Sequence, residues 1–348
     1  MEVMINIKID HNSRKPKYKQ IVDSIIDDIA AGNLEIGQKI PSINIISAEL
    51  YLSRDTVEKA YNKLKEKKII ESVKGKGFYI VKTDLERKRS VFFLINKLSS
   101  YKMAIYNAFV DQIDNDTTID LQIYYCDQEL FVKQIEQALG KYDHYVIMPH
   151  FKDAYQTYTR LEDRALEVMK KIPHEKLLLL DNFVQQFPEK VSQVYQNFED
   201  DIFNALQDAA HKLKKYKKLI LVYPSKSIYP YPKNIFIGFR KFCVIHSFDF
   251  EVLDVIYDDM ELQQGDVYIT ITETDLVHLV KQIRETDLVK GKDIGIISYN
   301  ETPLKDLLGI ATISTDFKQM GQTAAELIQL SKKEQYANSF NFIDRESI

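Results

Sequence analysis

The segment Ser53-Arg54-Asp55-Thr56, followed by Val57, Ala60, Tyr61 and Leu64, is where residue types and spacing in this 348-residue chain most directly specify chemistry. Apolar residues three, four and seven apart form one buried helix face. That leaves Arg54, Asp55, Thr56, Glu58 and Lys59 for solvent or a partner. A guanidinium at the start of such a helix can fork onto O6 and N7 of guanine in a DNA major groove, so Arg54 is the candidate base-reading group. Ser42, Ser53 and Thr56 stand at helix starts, where hydroxyls either hold phosphates or cap their own helices. Lys59 is a candidate DNA contact, whereas Lys63, Lys65, Lys67 and Lys68 also fit a solvated face. Further on, Lys74-Gly75-Lys76-Gly77 has the composition of a hairpin tip whose small residues permit close approach to nucleic acid.

Three elements must position these groups. Tyr18, Ile21, Val22, Ile25, Ile26 and Ile29 predict an amphipathic first helix ended by Gly32. Gly37 and Pro41 break the chain, and Ser42 can cap a second helix carrying Ile43, Ile46 and Leu50. A short turn over residues 51–53 leads to the third helix. The β-prone runs 69–73 and 78–81 flank the Lys-Gly tip and predict a hairpin.

Residues 83–90 are charged and lack apolar periodicity, as in a linker. Beyond them, strand-like runs over 91–95, 121–125, 145–149, 177–181, 219–223, 267–271 and 294–298 alternate with amphipathic stretches. Several are apolar on successive residues, the pattern of parallel strands covered on both faces. Seven such units predict an α/β body of two similar lobes. Open α/β sheets bind ligands beyond the carboxyl ends of their strands. The candidate ligand contacts are therefore Asn96, Ser99, Tyr101, His150, Asp181, Tyr229, Lys233, Glu273 and Asn300, with Tyr231 beside them.

Bulk composition narrows the function classes. Residues 1–89 hold 18 Lys and Arg against 13 Asp and Glu, a net of +5, and the remainder holds 29 against 38, a net of −9. A basic head on an acidic body points to a polyanion partner for the head alone. The two cysteines, Cys126 and Cys243, have no CxxC spacing and read as small buried residues, with no metal site expected. No apolar run approaches the roughly 18 residues of a membrane span, and the first ten residues lack a secretory core, so a cytoplasmic protein without membrane contact is expected. P-loop, GxGxxG, GxSxG and HExxH patterns are missing, which argues against an enzyme and against a bound cofactor.

The head resembles the winged helix-turn-helix of GntR-family bacterial regulators, on Tyr18-Lys19-Gln20-Ile21, Gly37-Gln38-Lys39-Ile40-Pro41-Ser42, Leu52-Ser53-Arg54-Asp55-Thr56-Val57 and Gly75-Lys76-Gly77-Phe78. Where that family commonly has arginine, this chain has Asn44 and Glu58; Asn44 is kept as a DNA-facing candidate. The body is similar to the LacI-type, periplasmic-binding-protein-like sugar-binding domain, on Ile297-Ser298-Tyr299-Asn300-Glu301, the run 311–321 and Gly238-Phe239. Ile235 and Asn300 replace its usual arginine and aspartate, so neither can make the same charge-assisted bonds.

Together these resemblances imply an organisation with residues 1–82 as DNA-binding domain, 83–90 as linker and 91–348 as effector-binding and dimerisation domain. They imply a homodimeric repressor of the arabinose-repressor-like type. Its partners would be a double-stranded operator and a small effector, a monosaccharide by analogy, with a pentose or deoxyhexose such as arabinose or fucose favoured. A regulator responding to a nucleoside, a phosphorylated metabolite or no ligand is the alternative the residues leave open.

Overall fold

The computed structural model describes residues 7, 9–11, 13–30, 32–81, 89–152, 158–159, 163–187, 191–225, 227 and 231–348. The chain divides into two compact units. One comprises Met1–Val91 with Asn115–Ile119 and Gln137–Asp143, the other Phe92–Asp114 with Asp120–Glu136 and His144–Ile348.

The head is built from α1 (Lys17–Ala30), β1 (Lys39–Ile40), α2 (Ile43–Glu49), α3 (Arg54–Glu66), β2 (Ile70–Val73) and β3 (Gly77–Ile80). The apolar faces of α1 and α3 meet as their spacing requires. Ile21, Val22, Ile25 and Ile29 share one core with Val57, Ala60, Tyr61 and Leu64, closed by Ile46 of α2 and Ile70 and Ile80 of the strands. Full burial of such a side chain contributes about 1.5–3 kcal/mol, so the shared apolar face holds these helices and strands together. Tyr61 is buried, and its hydroxyl donates to the Pro41 carbonyl at 2.5 Å, so its polar end is satisfied inside the core. Phe78 packs edge-on against the same ring at 4.8 Å. The hairpin expected from the Lys-Gly tip forms, and a third strand joins it: β1 pairs antiparallel with β3.

The body contains two six-stranded sheets. Its elements in chain order are β4 (Ser90–Ile95), α4 (Ser100–Gln112), β5 (Thr118–Ile123), α5 (Gln128–Ala138), β6 (His144–Ile147), β7 (Phe151–Lys152), β8 (Tyr158–Thr159), α6 (Asp163–Lys170), β9 (Leu177–Asn182) and β10 (Ser192–Gln196). They continue with α7 (Phe198–Leu213), β11 (Lys218–Val222), α8 (Lys233–His246), β12 (Asp249–Leu253), β13 (Asp266–Thr270), α9 (Glu273–Arg284), β14 (Gly295–Tyr299), α10 (Pro303–Leu307), β15 (Ala311–Thr315), α11 (Phe317–Gln329), β16 (Gln335–Ala337) and β17 (Phe340–Ile343). Strand order is β16-β10-β9-β6-β4-β5 in the first sheet and β12-β11-β13-β14-β15-β17 in the second. β7 and β8 pair antiparallel on their own. Each of the seven expected apolar runs forms a strand. Ser90, expected as the last linker residue, opens β4; residues 83–88 of that linker lie outside the described residues.

The chain passes between the lobes three times. β10 belongs to the first sheet, but the following α7 packs on α8 and β17. β15 belongs to the second sheet, but α11 returns to pack on α4 and β10. Residues 338–339 then lead from β16 in the first sheet to β17 in the second. In both lobes the paired helices approach so closely that only glycine fits. A Cβ on Gly238 would lie 2.1 Å from the Glu199 carbonyl oxygen, and one on Gly321 would lie 2.3 Å from that of Ile105. Both glycines therefore set helix spacing, whatever they cost in helix propensity. Cys126 and Cys243 are both buried, and among the described residues no helix is long and apolar enough to cross a membrane.

Candidate DNA-reading face and effector cleft

In the head, Ser53 caps α3 by accepting from the Thr56 amide at 3.2 Å and also meets the Thr56 hydroxyl at 2.8 Å. Ser42 caps α2 by accepting from the Ile45 amide at 3.3 Å. Both serines thus hold the helix starts. Arg54 stands exposed on the first turn of α3 and Asn44 exposed on α2. Lys59 is exposed one turn further on, with its ammonium 4.4 Å from the centre of the Tyr18 ring. At the hairpin tip Lys74, Gly75 and Lys76 are exposed, and Gly75 and Gly77 take φ values of +76° and +112°, which glycine adopts without strain. Tyr51, between α2 and α3, is 94% exposed at φ +53°. Nothing in its spacing marked it, because an aromatic in a turn ordinarily faces the core.

Between the lobes of the body lies a cleft of about 600 Å³, counting the space at its mouth. It collects Asn96, Tyr101, His150, Asp181 and Asn300 from the candidate set, Asp181 at the end of β9 and the others beyond strand ends or on the helix that follows. Ser99 instead caps α4, accepting from the Lys102 amide at 3.4 Å. Lys233 and Glu273 are exposed first residues of α8 and α9, outside the cleft lining. Tyr229 lies outside the described residues. The lining also includes Tyr231, named beside the candidates, and adds Lys97, Gln196, Ile235, Tyr299 and Phe317 to the expected residues.

Behind this lining sits a buried charge cluster. The Lys102 ammonium donates to Asp181 Oδ2, and both side chains are at most 1% exposed. His150 Nε2 lies 2.8 Å from the same oxygen, and Gln196 Nε2 donates to Asp181 Oδ1 at 2.5 Å. Burial alone would raise the Asp181 pKa, but Lys102 and His150 outweigh it and hold the carboxyl well below its usual range. Burial, reinforced by Lys102, lowers the His150 pKa. Facing an ionised carboxylate, which only accepts, Nε2 of the ring stands as the donor to Asp181. Asp181 itself has φ +77°, a backbone geometry sustained by ligands on both carboxylate oxygens. The opposite wall is fixed by Lys305 of α10, which is 1% exposed and donates to the carbonyls of Tyr299 and Asn300, each at 2.8 Å. Its burial lowers its pKa to about 8.

Polar contacts also tie the crossovers together. Thr315 donates to Gln196 Oε1 at 2.5 Å, Asn338 Nδ2 donates to the Asp316 carbonyl at 2.9 Å, and the Asp316 amide donates to Ser339 O at 3.0 Å. A cleft between lobes joined by three short segments can open and close about them.

Comparison with known proteins places these two geometries. The family described as "Bacterial regulatory proteins, gntR family" matches residues 17–80. The mannosyl-D-glycerate transport/metabolism system repressor MngR of Escherichia coli K12 is 34% identical over 97 residues, 28% of this chain and 38% of that protein. The repressor YtrA of Bacillus subtilis 168 is 35% identical over 74 residues, 21% of this chain and 57% of that one. The chain thus spans well under two thirds of these relatives. Among solved structures, the Lac repressor bound to ONPG superposes with a TM-score of 0.58 at 16% identity, covering 85% of this chain and 92% of the other. The regulator CCPA of Weissella paramesenteroides with bound sucrose gives 0.57 at 14% identity, covering 75% and 98%. At such identities the likeness is one of fold. Residues 17–80 are accordingly a winged helix-turn-helix domain of the gntR family of bacterial regulatory proteins, at the head of a body with the two-lobed fold of the Lac repressor.

Proposed function

We propose that this chain is a cytoplasmic, homodimeric transcriptional repressor whose operator affinity is set by a carbohydrate of pentose or deoxyhexose size bound between the lobes of the body. The observation that carries the reading is the pairing, in one chain, of an exposed Arg54 on a capped helix start with an interlobe cleft of polar and aromatic residues. The first suits major-groove reading; the second suits a ring with hydroxyl edges and C–H faces. Relatives of the head named as repressors, and a body fold shared with a regulator holding sucrose, support it. Occupancy would favour one arrangement of the lobes. A preference of about 1–3 kcal/mol suffices to change DNA affinity 5- to 150-fold.

The test is a footprint of the full chain on the DNA upstream of its own gene and its neighbours, with and without a panel of monosaccharides at fixed salt. A protected two-fold symmetric site that one sugar weakens or strengthens is the expected result. Protection indifferent to every sugar, but changed by a nucleoside or another metabolite, would replace the carbohydrate with that class.

A further inference from the structure

We infer that Glu58 is a specificity-determining residue of α3: its carboxylate accepts a hydrogen bond from the exocyclic amino group of a cytosine within about two base pairs of the base met by Arg54. This rests on the reading of α3 as the helix that enters the major groove, and adds to it the chemistry of a second base.

Glu58 follows Arg54 by four residues, so the two stand on one side of α3, one turn apart. A rise of about 1.5 Å per residue separates them by about 6 Å along the helix, against about 3.4 Å per base step. Both are exposed. The core contacts of the helix are made instead by Val57, Ala60, Tyr61 and Leu64.

Neither folding role common to a helix carboxylate applies to Glu58. The first turn already has its acid in Asp55, whereas Glu58 is the fifth residue of α3, beyond the turn in which the helix dipole acts. The position four residues on, where a lysine would pair with it, holds Asn62. The lysines of the helix are engaged elsewhere: Lys59 lies 4.4 Å from the centre of the Tyr18 ring, Lys63 donates to Glu66 at 2.5 Å, and Lys65 donates to Asn62 Oδ1 at 3.5 Å. Among the described residues, neither Glu58 nor Arg54 has a side-chain hydrogen bond or ion pair.

An unneutralised carboxylate on this face is repelled by the phosphates of every duplex. It lowers affinity for all sequences and is offset only where a base presents a donor, which is how a repulsive group generates discrimination. The donors of the major groove are the amino groups of cytosine and adenine. A carboxylate only accepts, so the N7 acceptor beside the adenine amino group opposes it. Cytosine presents its N4 donor with no acceptor of the same base alongside, and is the base that Glu58 suits.

Selection by the full chain from a duplex library with a randomised core tests this, followed by titration of the enriched duplex and of a mixed-sequence duplex at fixed salt. The parent should enrich cytosine at one position within about two base pairs of a guanine. Glu58→Ala should lose that cytosine but keep the guanine, which shows that the fold is intact. It should also bind the mixed-sequence duplex more tightly, so that the ratio of the two affinities narrows about tenfold. Glu58→Gln carries a donor beside its acceptor and should move the preference to adenine, whose N6 and N7 it can meet together. Cytosine that persists in Glu58→Ala, or a parent with adenine or no preference at that position, overturns the inference; loss of the guanine in Arg54→Ala then leaves α3 standing as the reading helix. If neither Arg54→Ala nor Glu58→Ala alters the enriched sequence, or the parent enriches none, the reading of α3 falls as well.

Discussion

Thr315 donates its hydroxyl to Gln196 Oε1 at 2.5 Å, and so joins the end of β15 in one lobe to the end of β10 in the other. Gln196 in turn donates to Asp181, so a continuous polar path runs from the cleft carboxylate to two of the three crossovers. Thr315→Val keeps the shape but strands the Gln196 oxygen in a buried site. It should lower stability by about 1–3 kcal/mol. It should also shrink the effector-induced change in operator affinity more than it changes operator affinity without effector. Equal loss of both in a gel-shift titration would show that this bond serves folding alone.

Asp181 predicts a distinct response to acid. Its pKa in the folded chain is depressed, so its pairing contributes stability above the unfolded value of about 4 and loses it as pH falls below that value. Asp181→Asn leaves Lys102 buried without its counter-ion, which should cost about 3–5 kcal/mol at pH 7. The gap between parent and variant in urea midpoint should then narrow as pH is lowered below about 4. A gap that stays constant to pH 3 would mean that the carboxylate is not ionised in the fold.

Much of this architecture was legible in the sequence, and the reason is periodicity. Helices α1 and α3 pack into the core along the residues their spacing marks, and six of the seven apolar runs form strands buried on both faces, while β5, at the sheet edge, is only partly buried. What was not legible is what periodicity cannot carry. β1 is two residues long, and β12 and β16 are largely exposed, so none offers an apolar run. The Lys102–Asp181 pair joins residues 79 apart, and a lysine on the first turn of a helix carries no sign that it will be buried. Lys97 sits directly beside Asn96, which strand-end reasoning did select. Lys233 and Glu273 were selected by the same reasoning, yet as exposed first residues of their helices they stand outside the cleft lining.

Asp201, on the first turn of α7, responds to pH in the opposite direction. Burial, with Asp200 adding to it, pushes its carboxyl up to about 7, and its Oδ2 has no hydrogen-bond partner. The folded chain therefore holds a proton that the unfolded chain releases near pH 4, and stability declines between about pH 4 and 7 on its account. Asp201→Asn should raise the unfolding temperature at pH 8, by a free energy on the order of 2 kcal/mol. Near pH 4 it should make little difference. A gain that is the same at both pH values would assign the effect to packing or to the amide's own bonds.

The head makes the sharpest division of labour testable. Arg54 is exposed at the start of a helix whose cap and core are supplied by other residues, so Arg54→Ala should leave folding intact. If its guanidinium reads a base edge, its loss costs about 1–3 kcal/mol of operator affinity at fixed salt and relaxes discrimination at one base position. Lys74 and Lys76 sit at the exposed hairpin tip beside glycines. As phosphate contacts, each would release about one counter-ion, so replacing both with alanine should weaken binding to all sequences and flatten the salt dependence by nearly two in slope. The two variants are thus separable in one set of titrations over salt and operator sequence. An Arg54→Ala protein that loses affinity uniformly across sequences, with a shallower salt slope, would move Arg54 from base reader to phosphate contact.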